Sequence, residues 1–282
     1  MNFIKIKSYA KINLSLNVIK RLTNKYHEIE SLVTFINLFD EIKIKKSKLH
    51  KHNISFFGKF SNGIKKDSTV HNLLNLLDKE KKIKNQKFEI KIKKNIPQKS
   101  GMGGGSMNAA SILKYFIDKK IIIISPKKIY KLAQKIGSDV PLGLERKNSL
   151  LLKNGAIKRL KKKFNFYVLI VKPNFGCSTK NIYNGLKKYS GPLFIKSNKF
   201  SLNSKNLAKS VNDLETVVFK KYPKIKSLKN FLLALPDVIF VRMTGSGSAL
   251  VAYFNSKKVL NKAVGIFKKK YKNYWYITSK TI

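Results

Sequence analysis

The chain contains a single cysteine, Cys177, among its 282 residues. One cysteine cannot form an intrachain disulfide, so the sequence requires no oxidising compartment. No apolar run comes near the roughly 18 residues that a membrane-spanning helix needs. The first twenty residues interrupt every apolar stretch with a charge or an amide, which is not the pattern of a secretory signal. These absences predict a soluble, cytoplasmic protein with no membrane partner.

Acidic residues and arginine are also scarce. Only 14 Asp and Glu oppose 60 Lys and Arg, which gives a formal net charge of +46. Such a charge is typical of proteins that bind nucleic acid or anionic membranes. However, only four of the 60 cations are arginine, the residue whose planar fork reads bases and phosphates. The lysines are spread along the chain, so we interpret the charge as codon bias and expect no specific nucleic-acid partner.

The apolar residues are numerous enough, at 43% of the chain, to build one large domain or two ordinary ones. Their spacing predicts strands at 3–7, 12–18, 88–93, 166–171, 239–243 and 249–254, and helices at 70–79, 107–117, 126–136, 207–222 and 257–270. This irregular alternation indicates an α+β protein. A polar, lysine-rich stretch at 153–163 predicts the domain boundary, with one domain at 1–155 and a second at 156–282.

The least random segment is PQKSGMGGGSMNAA, which runs from Pro97 to Ala110 between a predicted strand and a predicted helix. Four of the five positions from Gly101 to Gly105 are glycine, in a chain with only 15 glycines. Glycine is entropically costly to order, so it concentrates where the main chain passes close to a ligand. Glycine-rich turns that open a helix present backbone N–H groups and a positive helix end to phosphate.

Several known phosphate loops do not fit this segment. A Walker A loop ends in Gly-Lys-Ser/Thr, whereas Gly105 is followed by Ser106 and Met107. A dinucleotide fingerprint requires glycine at the place of Ser106 and an acid about twenty residues on. The protein-kinase HRD and DFG triplets are absent from the sequence. A plain glycine-rich linker is the remaining alternative, and it is disfavoured by the helix-forming run that follows.

Three other short segments are weak signals when each is taken alone. The string TGSGS at 244–248 is typical of a hairpin turn, and Asp139 in GSDVP is typical of a helix N-cap. Lys11 and Asn13 in AKIN lie two apart on a strand and therefore face the same way. A strand lysine is usually solvated, and a lone histidine such as His27 is usually a surface or core residue.

Together these segments, in the order AKINLSL, KYHEIESL, P-x3-G-x-GGGS-x-NAA, GSDVP and R-x-TGSGS, resemble the GHMP kinase superfamily. Its members phosphorylate galactose, homoserine, mevalonate and related alcohols. The YAKINL and YHE segments most resemble the branch that acts on a cytidine diphosphate substrate in non-mevalonate isoprenoid synthesis. The resemblance spans residues 8 to about 250.

The resemblance implies an amino-terminal, ATP-binding domain like the second domain of ribosomal protein S5 and a carboxy-terminal ferredoxin-like domain. ATP, accompanied by Mg²⁺, and a small cytidine diphosphate compound are the implied ligands, and no residue is assigned to the metal. The residues implied to bind ATP are Lys94, Pro97, Gly101, Gly103, Gly104, Gly105, Ser106 and Asn108.

The resemblance also assigns the chemistry. Asp139 matches the catalytic aspartate, which accepts the alcohol proton, and Lys11 matches the catalytic lysine. The residues implied to bind the substrate are Asn13, Tyr26, His27, Thr179, Tyr183, Gly245 and Ser246. Two departures concern the nucleotide: Ser68 replaces a usual asparagine near the adenine, and Met107 replaces a usual second serine.

Two alternatives remain open at this point. The chain could be another GHMP kinase, of the homoserine or mevalonate type, although neither is expected to carry the YHE segment. It could instead be an RNA-binding protein that uses an S5-like fold and its positive charge. The sequence is compatible with a monomer or a homodimer.

Overall fold

The structure is a computed structural model that describes residues 2–23, 26–65, 67–192 and 202–282. Its chain divides into two compact units. Unit 1 comprises Met1–Ala10, Leu38–Gln98 and Gly103–Arg146, and unit 2 comprises Lys11–Asn37, Lys99–Met102 and Lys147–Ile282. Both units combine helices and strands, which confirms the α+β class. Each unit is built from several segments, and the division into domains 1–155 and 156–282 stays a prediction.

Nineteen helices and strands lie within the described residues. The strands are β1 Ile4–Arg21, β2 His27–Lys46, β3 Asn53–Phe57, β4 Phe88–Lys93, β5 Ser149–Leu151, β6 Ile157–Arg159, β7 Tyr167–Lys172, β8 Phe240–Met243, β9 Leu250–Phe254 and β10 Trp275–Lys280. The helices are α1 Thr69–Lys79, α2 Gly104–Asp118, α3 Pro126–Ile136, α4 Val140–Gly143, α5 Thr179–Asn184, α6 Ser204–Lys209, α7 Leu214–Lys221, α8 Pro223–Leu233 and α9 Lys257–Lys270. Within these described parts of the chain, no helix is long and apolar enough to cross a membrane.

Unit 1 is a sheet covered by helices. Strand β4 pairs in parallel with β3 and antiparallel with the second half of β2, where Glu41 lies opposite Lys93. The alternating pattern FEIKIK buries Phe88, Ile90 and Ile92 in a core that also receives the apolar faces of α1, α2 and α3. The predicted bounds of β4 and α3 are confirmed, because alternation and an N-terminal proline are strong local signals.

Unit 2 contains a four-stranded antiparallel sheet in the order β10-β7-β9-β8. Helices connect β7 to β8 and β9 to β10. This β-α-β-β-α-β arrangement is the ferredoxin-like fold, as expected. Its strands read as nearly continuous apolar runs, and β8 and β9 are buried at every position. The first half of β2 pairs with β5, and β5 pairs with β6.

Two sequence predictions need correction. The strands predicted at 3–7 and 12–18 form one strand, β1, of 18 residues. The single helix predicted at 207–222 is wrong, because α6 ends at Lys209 and α7 begins at Leu214. The guanidinium of Arg242 donates hydrogen bonds to the backbone carbonyl oxygens of Leu207, Ala208 and Ser210. These bonds terminate α6.

Candidate functional site

The N-terminus of α2 is the clearest candidate for an anion-binding site in unit 1. Its N-cap, Gly103, adopts a left-handed conformation with φ of 68°, and no side chain caps the helix. The first N–H groups of a helix have no partner within the helix, and they point toward its positive end. A helix of 15 residues that opens on bare glycine backbone is therefore suited to a phosphate.

Two glycines of this turn, Gly104 and Gly105, have close side-chain neighbours. A Cβ at Gly104 would lie 3.1 Å from Ile96 Cγ2 and 3.4 Å from Lys94 Nζ. A Cβ at Gly105 would lie 3.2 Å from Thr69 Oγ1. Side chains here would fill the space beside the free helix end, so the glycines keep the backbone accessible.

Lys94 lies beside this turn in a buried network that centres on Asp40. Asp40 is 0% exposed, and Lys94 is 4% exposed. Asp40 Oδ2 accepts hydrogen bonds from Lys94 Nζ and from Asn108 Nδ2, the latter at 3.0 Å. Asp40 Oδ1 accepts from the backbone N–H groups of Asn95 at 2.7 Å and Ile96 at 2.9 Å.

Sequence reasoning missed Asp40, although a signal was present. In LFDEIKI, Leu38, Ile42 and Ile44 are buried, and the strand alternation places Asp40 on the same face. An acid at an apolar position of an alternating strand indicates a paired buried charge. The structure thus brings together three of the predicted ATP-binding residues: Lys94 and Asn108 both donate to Asp40, and Lys94 Nζ lies close to Gly104.

In unit 2, Gly101 of the first glycine-rich segment contacts the TGSGS segment. Gly101 has φ of 77°, and a Cβ on it would lie 1.9 Å from the Thr244 carbonyl oxygen. A Cβ on Gly245, whose φ is 52°, would lie 3.0 Å from the Gly101 carbonyl oxygen. Thr244 Oγ1 also lies 3.1 Å from that carbonyl oxygen. The TGSGS segment is the turn between β8 and β9, as its sequence predicts, and it also fixes residues 99–102.

Asn13 connects Lys11 to the same turn. Asn13 Oδ1 accepts hydrogen bonds from Lys11 Nζ at 2.8 Å, from Gly245 N at 2.9 Å and from Thr244 Oγ1 at 3.2 Å. Asn13 Nδ2 donates to Ser31 Oγ at 2.8 Å. Asn13 and Lys11 are both buried. This arrangement orients the Lys11 ammonium, which the solvated-lysine interpretation does not explain.

His27 and Tyr183 also come together in unit 2, with ring centroids 5.0 Å apart. Burial, followed by the charge of Arg21, lowers the pKa of His27 from 6.5. The ring is therefore neutral at pH 7. Its Nε2 atom is buried and has no hydrogen-bond partner among the described residues. Tyr26 is 70% exposed.

The helix α5 joins this aromatic pair to the TGSGS turn. Thr179 begins α5, and its Oγ1 lies 2.8 Å from Ser246 Oγ. Tyr183 is four residues further along, so it lies on the same helix face as Thr179. The predicted substrate-binding residues of the C-terminal half thus share one helix face and one turn.

Asp139 belongs to unit 1, whereas Lys11 belongs to unit 2. Asp139 occupies the N-cap position of α4, as a cap interpretation predicts, but its side chain makes no capping hydrogen bond. Pro97 and Ser106 also lie in unit 1, on either side of the 99–102 segment. In the described ranges, no three His, Cys, Asp or Glu side chains form a metal-binding group.

Comparisons with known proteins agree with the segments that carry the resemblance. Residues 68–144 match the family described as the GHMP kinases N terminal domain. Residues 195–273 match the family described as GHMP kinases C terminal. The 4-diphosphocytidyl-2-C-methyl-D-erythritol kinase of Pelagibacter ubique (strain HTCC1062) is 51% identical over 282 residues, which is 100% of both chains. The enzyme of the same name from Thermoanaerobacter pseudethanolicus is 32% identical and covers 100% of this chain and 97% of its own.

Solved structures show the same fold. A crystal structure of 4-(cytidine 5'-diphospho)-2C-methyl-D-erythritol kinase matches with a TM-score of 0.77 and 22% identity, over 98% of this chain and 99% of that one. The homoserine kinase of Cytophaga hutchinsonii matches with a TM-score of 0.70 and 17% identity, over 100% and 95% of the two chains. At these identities the likeness concerns the fold alone.

Proposed function

The chain belongs to the GHMP kinase family, and we propose that within it the chain is a 4-diphosphocytidyl-2-C-methyl-D-erythritol kinase. It transfers the γ-phosphoryl group of ATP to the 2-hydroxyl of its cytidine diphosphate substrate, in the non-mevalonate isoprenoid pathway. The observation that carries this proposal is the 51% identity with the Pelagibacter ubique kinase along the whole chain. That length includes both the glycine-rich turn and the YHE segment.

The start of α2 binds the ATP phosphates in this proposal. The uncapped N–H groups after Gly103 supply hydrogen bonds, and the helix end and the Lys94 ammonium supply positive charge. Phosphoryl transfer depends mainly on positioning and charge stabilisation, because the protein itself forms no covalent bond. Pro97, Gly101, Gly105, Ser106 and Asn108 are the other residues that we propose to bind ATP.

Asp139 is the proposed proton acceptor. The substrate oxygen attacks the γ-phosphorus, a new O–P bond forms, and the bond from the γ-phosphorus to the β–γ bridging oxygen breaks to release ADP. The hydroxyl proton passes to the Asp139 carboxylate. Asp139 receives this role from the match of its GSDVP segment to the GHMP kinases.

Lys11 supplies positive charge to the reacting groups, and Asn13 keeps its ammonium oriented. Asn13 Oδ1 already accepts three hydrogen bonds, so its positioning of Lys11 and Gly245 is its main proposed contribution. A preorganised ammonium stabilises developing negative charge without having to reorganise during the reaction.

The substrate base is recognised by His27 and Tyr183, with Tyr26 at its exposed side. A tyrosine ring offers a flat face for a pyrimidine. The buried, unpaired Nε2 of the neutral His27 ring offers a hydrogen bond to the polar edge of cytosine. Thr179, Gly245 and Ser246 lie along the adjoining helix face and turn and complete the proposed substrate site.

Mg²⁺ fits this chain as an ion carried by the nucleotide. Mg²⁺ is commonly held by substrate phosphates with few protein ligands. When bound it neutralises phosphate charge. A cytoplasmic location, a monomeric or homodimeric state and the two-domain division are further parts of the proposal.

The proposal is tested by measuring ADP release from purified protein with ATP and a panel of alcohols. The panel contains the cytidyl substrate, homoserine and mevalonate. We expect turnover with the cytidyl substrate alone, and a product phosphorylated at the 2-hydroxyl. Efficient turnover of homoserine or mevalonate would place the chain in another branch of the family.

A further inference from the structure

Asp40 is a buried acid that the proposed reaction does not use. It lies in β2 with 0% of its surface exposed, on the strand face that carries Ile42 and Ile44 into the core of unit 1. Burying a carboxylate costs free energy unless donors and a counter-charge surround it. Its four hydrogen bonds meet this condition, and only one of them comes from a charged group, the ammonium of Lys94.

The position of that ammonium is unusual for a lysine. Lys94 Nζ lies against Gly104, the first residue of α2, where the helix dipole is also positive. Two positive groups in one buried place repel each other unless an anion is near. Asp40 is the anion that the protein provides permanently.

We propose that Asp40 is a positioning residue for ATP binding, which holds the Lys94 ammonium at the N-terminus of α2 before the nucleotide arrives. This inference rests on the proposed function and names a residue that supports the same site. A cation held in place in advance loses little freedom when it binds a phosphate. Without its partner, the long lysine side chain would turn toward solvent, because a buried unpaired ammonium is unfavourable.

The substitution Asp40→Asn isolates this contact. The carboxamide keeps an oxygen that accepts from the backbone N–H groups of Asn95 and Ile96. Its NH₂ group replaces Oδ2. If the Asn108 amide rotates, Asn108 Oδ1, which has no partner among the described residues, can accept a hydrogen bond from this NH₂ group. The substitution removes the charge that pairs with Lys94 and replaces the acceptor that faces its ammonium with a donor, so this contact is lost while the other groups keep a partner.

The direct measurement is the Kd of MgATP for purified protein, by calorimetry and with no alcohol present. We expect Asp40→Asn to weaken ATP binding by about ten-fold or more, as for loss of a coupled charged contact. The matched control is Glu41→Gln on the neighbouring residue. The Glu41 side chain is 44% exposed, and its Oε1 atom lies 3.8 Å from Lys93 Nζ. The control should bind ATP within about two-fold of the unchanged protein.

A double-mutant cycle shows whether Asp40 acts through Lys94. Lys94→Met alone should weaken ATP binding, and adding Asp40→Asn to it should cause no further loss. The double variant contains neither charge of the pair, so it remains informative if Asp40→Asn alone does not fold. Unchanged or tighter ATP binding by Asp40→Asn, or a further ten-fold loss in the Lys94→Met background, would overturn the proposal.

Steady-state kinetics separate this inference from the proposed function. In Asp40→Asn the KM for ATP should rise while the KM for the cytidyl substrate stays within about two-fold, a split that general destabilisation would not produce. If the chain phosphorylated none of the alcohols, the proposed function would fail. The calorimetric result with MgATP would still decide the role of Asp40.

Discussion

The start of α2 in unit 1 and the surroundings of His27 in unit 2 differ in how far their polar groups are satisfied. At α2, both carboxylate oxygens of Asp40 have two hydrogen-bond donors each, and Asn108 Oδ1 is the exception. At His27, the buried Nε2 has no partner among the described residues. The proposed nucleotide region is therefore largely preorganised, whereas the proposed base region has a hydrogen bond left for its ligand to make.

This difference has an energetic meaning. A buried polar atom without a partner costs about 1–3 kcal/mol, and a ligand with a matching edge recovers that amount. A ligand with the wrong edge does not. The region around His27 is consequently suited to selecting a base, and the region around Asp40 is suited to binding a phosphate chain that many enzymes share.

Asp139→Asn should have the largest effect, and it should leave the nucleotide region unaffected. An amide cannot accept the hydroxyl proton, so we expect kcat to fall by about 10²–10⁴-fold. The Kd of ATP should change by no more than a few-fold. The control Asp118→Asn changes an exposed acid at the end of α2 that pairs with Lys114. Near-normal turnover by Asp139→Asn would show that another group accepts the proton.

Gly101→Ala should disrupt the contact between the two glycine clusters. Its Cβ would meet the Thr244 carbonyl oxygen at 1.9 Å, so backbone must move. The control is Gly63→Ala, since Gly63 has a similar φ of 76° but nothing within 4 Å. In both variants an alanine in a left-handed conformation should cost about 1–2 kcal/mol of stability. Gly101→Ala should lose substantially more than this in thermal unfolding, and Gly63→Ala should not. Equal losses would mean that the close approach is not important.

His27→Ala should reduce the preference for the cytidyl over the uridyl substrate without affecting ATP binding. We expect the ratio of kcat/KM for cytidyl and uridyl substrates to fall by about 10- to 100-fold, because the hydrogen bond to the cytosine edge is lost. The control is His50→Ala, at an exposed histidine of unit 1. An unchanged ratio in His27→Ala would remove His27 from base recognition.

The smallest expected effect is a change of substrate affinity with pH. Burial lowers the pKa of His27 from 6.5, so the neutral ring predominates above pH 6.5 and the protonated form increases as the pH falls. If the neutral ring binds the base, the KM for the cytidyl substrate should be lowest at neutral and higher pH and should rise as the pH falls through the lowered pKa of His27. In His27→Gln this rise should be absent, and its persistence would assign the titration to another group.

Local patterns predicted much of the fold. Strand β4 and helices α3 and α9 have the bounds that the sequence predicts, because alternation, an N-terminal proline and a helical apolar face are encoded within each segment. The break between α6 and α7 was not predictable in this way. Arg242, which lies more than thirty residues further along the chain, ends α6, and a local pattern contains no information about such a contact.

The candidate site shows the same division. The glycine turn, Lys11 and Asp139 were identified from motifs, whose residue roles stay predictions. The contact between Gly101 and Gly245 joins two distant segments, so neither segment alone reveals it. Asp40 was overlooked because an isolated acid in a strand usually lies on the solvent face, and only its register with Ile42 and Ile44 indicates otherwise.

Base selection around His27 is tested most directly by comparing kcat/KM for the cytidyl substrate with that for its uridyl analogue at saturating ATP. The two compounds share the phosphates and the reacting alcohol and differ only at the edge of the base. A site with an unpaired buried group that matches cytosine should favour the cytidyl compound by about 100-fold or more. Comparable values for the two substrates would contradict the account, because the region around His27 would then not select the base.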